Sequence, residues 1–320
     1  MKKNDWLSIT SRYGTIGFLV LLVVVFSVSR SEVFPTLLNF LNILNQSAIL
    51  GVIAAGLTVC LVMGLFDLSI AAMATLGGYL VCRMLVAQGG DPHVVLSIVG
   101  VLAVASVIGI VNGVLVSYLG ISAFIATLAM GSVITGVILG YSESRTIVSG
   151  IPDVFVALGQ NSSAGIPNAV LVMLVVAFLL WLLLEHTQAG RNLYAIGGNA
   201  EASRLSGLAV KRYGLLALGI SGACAALAGI MAAASLGAGR PQGVGDTYLL
   251  NAFAAVFIGA STLRPGQFHI LGTIVGVLLI GVINNGLSLM GAQTYWQYIV
   301  QGLLLIVAMF AAGVISLRRH

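Results

Sequence analysis

Side chains able to do covalent or metal chemistry are few in this chain and stand apart. Cys60, Cys82 and Cys224 each sit in an apolar run, without the close spacing of a metal site or a disulfide framework. His93, His186, His269 and His320 are dispersed near the ends of such runs and read as solvated loop residues. The only lysines are Lys2, Lys3 and Lys211, and none follows a glycine. There is thus no phosphate-cradling loop ending in Lys-Ser/Thr, and the chain is not its own P-loop ATPase. The run from Gly237 to Gly243 has the wrong spacing for a dinucleotide fingerprint. No catalytic residue, no metal ligand and no cofactor is assigned to this chain.

The chemistry that remains is hydrogen bonding by neutral amides and two carboxylates between apolar runs. Asn39, Asn42 and Gln46 are spaced three and then four, and Gln293, Gln297 and Gln301 four and four, so each set shares one helix face. Amides in lipid are costly unless paired, so these faces meet protein or water. They serve either as ties between helices or as the lining of a pathway. Asp67 and Asp246 each precede a Gly/Ala-rich apolar stretch. A carboxylate there accepts from the free N–H groups of the following helix and sits at its positive end. The two are either caps at a membrane surface or flank half-helices aimed at a pathway. The pathway candidates are Asn42, Gln46, Asp67, Thr127 and Asn285.

The elements that must hold these residues follow from composition. The chain has 320 residues, 59% apolar and 7% charged, with a mean hydropathy of +1.09. Soluble domains carry about 25% charged residues, which excludes an ordinary globular enzyme and a nucleic-acid reader. The net charge of +5 fits basic cytoplasmic loops and needs no nucleic-acid partner. The apolar stretches approach the ~20 residues a membrane-crossing helix needs and lack the alternation of barrel strands. They predict an all-α polytopic membrane protein with ten spans, at 14–30, 41–63, 68–87, 94–118, 122–141, 168–184, 214–235, 247–260, 270–290 and 295–315. The first reads as an uncleaved anchor. With the N-terminus inside, ten basic residues fall inside (Lys2, Lys3, Arg12, Arg191, Arg204, Lys211, Arg212, Arg264, Arg318, Arg319) and four outside (Arg30, Arg83, Arg145, Arg240). Both termini are therefore expected in the cytoplasm, Ser142–Pro167 outside and Glu185–Tyr213 inside.

The chain also repeats itself. Ile108-Gly109-Ile110-Val111-Asn112-Gly113 resembles Ile280-Gly281-Val282-Ile283-Asn284-Asn285-Gly286, the Asn-Gly pairs 173 residues apart. Gly64-Leu65-Phe66-Asp67 resembles Gly243-Val244-Gly245-Asp246, the aspartates 179 apart. Spans two to five thus match spans seven to ten. An offset of five spans gives the copies opposite orientations, a device of transporters.

The segment 185–213 is the longest expected cytoplasmic stretch. Asn199 suits an N-cap, Glu201 the first turn, Arg204 the last and Gly207 the C-terminal stop, which predicts a short helix at about 199–206. It is either a surface helix at the headgroups or a helix that docks into a partner's groove.

This segment carries a resemblance. Gly190-Arg191-Asn192-Leu193-Tyr194-Ala195-Ile196-Gly197-Gly198-Asn199 with Glu201-Ala202, Arg204-Leu205-Ser206-Gly207 is similar to the coupling-helix region of ribose-type (monosaccharide) ABC importer permeases. Asn42 to Gln46, Asp67 to Ile70, Ser122 to Leu128, Leu271-Gly272-Thr273 and Asn285-Gly286-Leu287 resemble further motifs of that family, in family order from about residue 39 to 313. The resemblance implies a single permease domain over 1–320, a vitamin-importer-like fold with inverted repeats, and a place in the bacterial inner membrane. It also implies three partners: a second permease chain, an ABC ATPase subunit that binds ATP and Mg, and a periplasmic or surface sugar-binding protein. Asn199, Glu201, Arg204 and Gly207 would carry the coupling to the ATPase. The chain departs from the family pattern at Leu65-Phe66, at Ala71 and at Arg264-Pro265, the last in a turn near the expected ATPase interface. The alternative of another class is an ion-coupled secondary transporter, which inverted repeats also allow. It calls for ionisable residues at span centres, and the expected spans place none there.

Overall fold

The computed structural model describes residues 3–89 and 93–317. Lys2, Arg318, Arg319 and His320 lie outside the described residues. The apolar runs become helices because a helix satisfies its own backbone N–H and C=O groups where water is absent. In chain order they are α1 (Lys3–Ser29), α2 (Leu37–Val62), α3 (Ile70–Gln88), α4 (Val94–Ser117), α5 (Ala123–Ser142), α6 (Asp153–Gln160), α7 (Asn168–His186), α8 (Gln188–Gly198), α9 (Ala200–Leu205), α10 (Val210–Leu236), α11 (Asp246–Ala260), α12 (Ile270–Leu289) and α13 (Thr294–Leu317). Among the described residues α2, α3, α4, α5, α7, α10 and α12 are long and apolar enough to cross a membrane. Tyr13–Ser29, Asp246–Ala260 and Thr294–Val307 are shorter apolar helical stretches.

At the centre α2 packs against α10. On one side α2 contacts α11 and α12; on the other α10 contacts α3 and α4 more extensively. The small residues of α10 permit this closeness. A Cβ on Gly229 would collide with the Ala74 carbonyl of α3, and one on Gly77 with the Ala226 carbonyl of α10. α2 and α10 are largely enclosed, whereas α4, α5 and α7 keep an exposed apolar face.

Three elements depart from the expectation. Residues 142–167 read as a hydrophilic stretch, yet α6 forms there, held by the fully buried Phe155, followed by a two-stranded hairpin pairing Ser162 with Pro167 and Ser163 with Ile166. In 185–213 a second helix, α8, precedes the expected one. Its three glycines, Gly190, Gly197 and Gly198, are poor helix formers, so local sequence hid it. Tertiary contact holds it: Leu193 and Ile196 are buried, and Gly197 lies against the Val62 carbonyl where a Cβ would not fit. Finally, His269 is buried, not solvated as expected. The cause is its position between the 261–269 turn and α12; its Nδ1 lies 3.1 Å from the Gln267 carbonyl, and burial lowers its pKa below 6.5.

Candidate functional site

Between α10 and α11 the backbone is not helical. Gly239 bridges to Ile147 and packs against Cys82, and Gly245 packs against Ala71, its N–H bonded to Thr75 Oγ1 at 3.1 Å. Ala71 and Cys82 are eleven residues apart on α3, which at 1.5 Å per residue is about 16 Å. The segment 237–245 therefore runs alongside α3 before α11 begins. Non-helical backbone among spans is tolerated only inside protein or beside water.

The first turns of α11 open on a cleft of about 290 Å3 between α2, α11, α12 and α13. Gln46, Ser47, Thr247, Tyr248, Asn251, Asn284, Ser288 and Gln297 supply its polar lining. The two amide stripes thus converge: Gln46 comes from one and Gln297 from the other. Gln46 Nε2 donates to Asn42 Oδ1 at 3.1 Å, and Gln301 Nε2 donates to Asn284 Oδ1 at 3.1 Å. Asn251 Nδ2 donates to the Thr247 carbonyl at 3.0 Å. Ser47 Oγ and Asn251 Oδ1 are buried without a hydrogen-bond partner.

Asn285 lies elsewhere. It and Asn39 exchange reciprocal amide bonds, at 2.9 and 3.1 Å, and Asn39 also donates to the Phe34 carbonyl at 3.0 Å. This pair ties α12 to α2 and is buried. Its neighbour Asn284, about 100° around the helix, faces the cleft instead. Sequence reasoning missed Ser47, Asn251, Asn284 and Ser288. The one signal for Asn251 is its four-residue spacing from Thr247.

Asp67 and Asp246, paired by the repeat, have different surroundings. Asp246 is exposed in the first turn of α11. Asp67 is 1% exposed, and its Oδ1 accepts from Ser69 N at 3.0 Å and Ser69 Oγ at 2.6 Å. Asn112 Nδ2 donates to Ser69 Oγ at 3.0 Å, and Thr127 Oγ1 accepts from Leu68 N at 3.0 Å. This network fastens the 63–69 turn to α4 and α5. Asp67 Oδ2, Asn112 Oδ1 and Ser221 Oγ remain without partners in it.

The α8–α9 region is built as a platform with a projecting tip. Thr187 caps α8 by accepting from Gly190 N at 3.2 Å, and Asn199 caps α9 through Oδ1, accepting from Ala202 N at 2.9 Å. Gly207, at φ +85°, turns the chain away. Glu201 and Arg204 pair one turn apart, Nε to Oε2 at 3.1 Å, which lowers the carboxyl pKa and raises that of the guanidinium. Leu205 is 75% exposed on this tip. Beneath it, Arg264 bonds both Glu185 oxygens at 2.7 Å, and Tyr194 donates to the Phe268 carbonyl at 2.9 Å. Arg264, a departure from the family pattern, thus braces the 261–269 turn against the end of α7.

Apolar helices long enough to cross a membrane, packed around buried hydrogen-bonding groups, define a multi-pass membrane protein. Residues 39–309 match the family described as "Branched-chain amino acid transport system / permease component". The chain is 34% identical to the ribose import permease protein RbsC of Escherichia coli strain K12, over 92% of this chain and 90% of that one. It is 37% identical to the D-allose transport system permease protein AlsC of the same strain (95% and 92%), and 37% to RbsC of Bacillus subtilis strain 168 (92% and 89%). No solved structure matches. The chain belongs to the ribose-type monosaccharide permease family of ABC importers. Permeases of this family are membrane subunits and not themselves enzymes; ATP hydrolysis lies in a separate ATPase.

Proposed function

We propose that this chain is one permease of a pair in an ATP-driven importer of a monosaccharide or sugar-like molecule, with the α8–α9 tip as the coupling element. The observation that carries the reading is α9 itself: a short helix capped at both ends, exposed on nearly all sides and mounted on a buried platform. A coupling element needs rigidity, so that movement of a partner displaces the spans and not only the tip. Asn199 and Gly207 supply the caps, and Glu201 and Arg204 the polar contact surface. The ATPase would bind ATP and Mg, and a binding protein would deliver cargo to the other face.

In this reading the chain crosses the bacterial inner membrane ten times, the three shorter apolar stretches adding to the seven long helices. Both termini and the α8–α9 tip face the cytoplasm, as the basic residues favour. The packing of α2 with α11 and α12, and of α10 with α3 and α4, supports an inverted repeat of the vitamin-importer kind. Gln46, with Asn42 behind it, belongs to the pathway. Asp67 and Thr127 hold the turn that gates it from the other end, and Asn285 fixes α12 in place. Sugar is favoured over a branched-chain amino acid because the cleft offers no charged partner for an ammonium or a carboxylate.

Co-reconstitution tests this. The chain, purified with its ATPase and supplied with a loaded binding protein, should raise ATP hydrolysis and accumulate sugar in vesicles. ATP-independent uptake that follows an ion gradient would contradict the reading.

A further inference from the structure

Resting on the importer reading, we propose that the cleft between α2, α11, α12 and α13 is a contact site for the cargo itself. It reads the hydroxyl groups of an uncharged polyhydroxylated ligand through Ser47, Asn251, Asn284 and Gln297. Two observations point to a ligand site. Ser47 Oγ and Asn251 Oδ1 line the cleft, lack partners, and belong to residues only 2% and 4% exposed. Buried polar atoms are rarely left bare, because nothing then replaces the water they gave up. Gly281 adds to this: a Cβ there would strike the Ser47 hydroxyl, so the glycine keeps that hydroxyl's space open.

The bonds already made fix what each group offers. Asn251 has engaged its nitrogen on the Thr247 carbonyl and presents an acceptor. Asn284 has engaged its oxygen with Gln301 and presents donors. Ser47 can do either, and Gln297 brings one group of each kind. Adjacent hydroxyls on a sugar ring both donate and accept, which suits such a mixed set. No Lys, Arg, His, Asp or Glu is among the lining residues, so a charged ligand would lose its hydration without a counter-charge. Asp246, exposed one residue before Thr247, further disfavours anions. At about 290 Å3 the cleft is at the bottom of the range of about 300–1,000 Å3 for small-molecule sites. It suits one sugar ring and not a chain of them.

Site protection separates this inference from the importer reading. Ser288, on the exposed rim, is changed to cysteine; the native cysteines are all buried. In the assembled complex, alkylation of S288C by a maleimide is timed with D-ribose, D-allose, D-xylose, D-galactose or ribose 5-phosphate present. The neutral sugar that the complex imports should slow alkylation severalfold, and the phosphate should not. In parallel, Ser47→Ala and Asn251→Leu should each reduce import of that sugar roughly tenfold or more, because a site built to bond hydroxyls discriminates strongly once a partner is lost. Import is expressed per complex co-purifying with the ATPase, so misfolded protein does not count. Unslowed alkylation by a sugar that the same complex imports overturns the cleft as a cargo site. A complex that imports none of the neutral sugars overturns the sugar reading beneath it.

Discussion

Where α2 meets α11 and α12, polar side chains line an open cleft; at the 63–69 turn, beside α4 and α5, they bond to one another. Gln46, Asn251, Asn284 and Gln297 are neutral and leave donors and acceptors free. Asp67, Ser69, Asn112 and Thr127 form a network around a buried carboxylate. α10 packs closely on α3 and α4, and α2 less extensively on α11 and α12. The difference lies in what the matching glycines touch. Gly109 lies against the Leu218 carbonyl, a fixed backbone atom, and Gly281 against the Ser47 hydroxyl, a movable side chain. One contact is thus held by fixed backbone and the other by a side chain that can turn.

Substitution at those two glycines should break the comparison most sharply. Gly109→Ala must push α4 away from α10, at the upper end of the about 1–3 kcal/mol typical of overpacking. Gly281→Ala can be met by rotation of Ser47 and should cost under about 1 kcal/mol while narrowing the cleft. Thermal unfolding of the purified permease compares them, and equal losses would show that the two contacts do not differ in rigidity.

Next is the carboxylate of the closed side. Asp67→Ala leaves the Ser69 N–H and hydroxyl without their acceptor in a buried place, about 2 kcal/mol. Asp67→Asn keeps an acceptor and adds a donor able to reach one of the unpartnered oxygens nearby, so it should be the milder change. Rates of proteolysis in the 63–69 turn report the order.

The Asn39–Asn285 pair should matter less, about 1 kcal/mol for either alanine variant. The double variant should lose little more than Asn39→Ala alone, which removes the shared tie and the bond to the Phe34 carbonyl as well. Strict additivity in melting temperature would mean that the amides act separately.

The smallest effect belongs to the exposed Glu201–Arg204 pair. Arg204 holds the Glu201 carboxyl below its ordinary value of 4.5. The pair's contribution to α9 is therefore complete above the ordinary value of 4.5, shrinks as pH falls below it, and is gone once pH has passed the depressed folded value. Protection of the α9 amides against hydrogen exchange should decline across that window, and in Arg204→Ala, which removes the cause of the shift, this decline should disappear.

Much of the fold was legible because apolar runs near the length of a membrane crossing fold as helices. The signals at Asn199 and Gly207 likewise describe a helix that is present. What escaped was set by tertiary contact. α8 has glycines where a helix needs none; Gly197 serves its approach to Val62 and Gly190 its approach to the end of α7. The amide stripes marked faces, but periodicity does not say which way a face points. It therefore left Asn285 as a pathway candidate, where the structure puts that side chain in a tie to Asn39 and turns Asn284 to the cleft. The aspartates looked equivalent because their flanking motifs match; burial of one and exposure of the other depends on the helices packed around them.

Coupled uptake through α9 tests the central claim most directly. Gly207 sits at φ +85°, where a β-branched residue is strongly disfavoured, and Glu201→Arg places a cation at the positive end of the helix. ATP hydrolysis and sugar accumulation are measured together in vesicles holding the Glu201→Arg/Gly207→Val double variant, with the loaded binding protein supplied. The expected result is release of the ATPase, or hydrolysis without uptake, while the binding protein still takes up its cargo. Full uptake at the normal ratio of ATP to sugar would contradict the assignment of α9 as the coupling element.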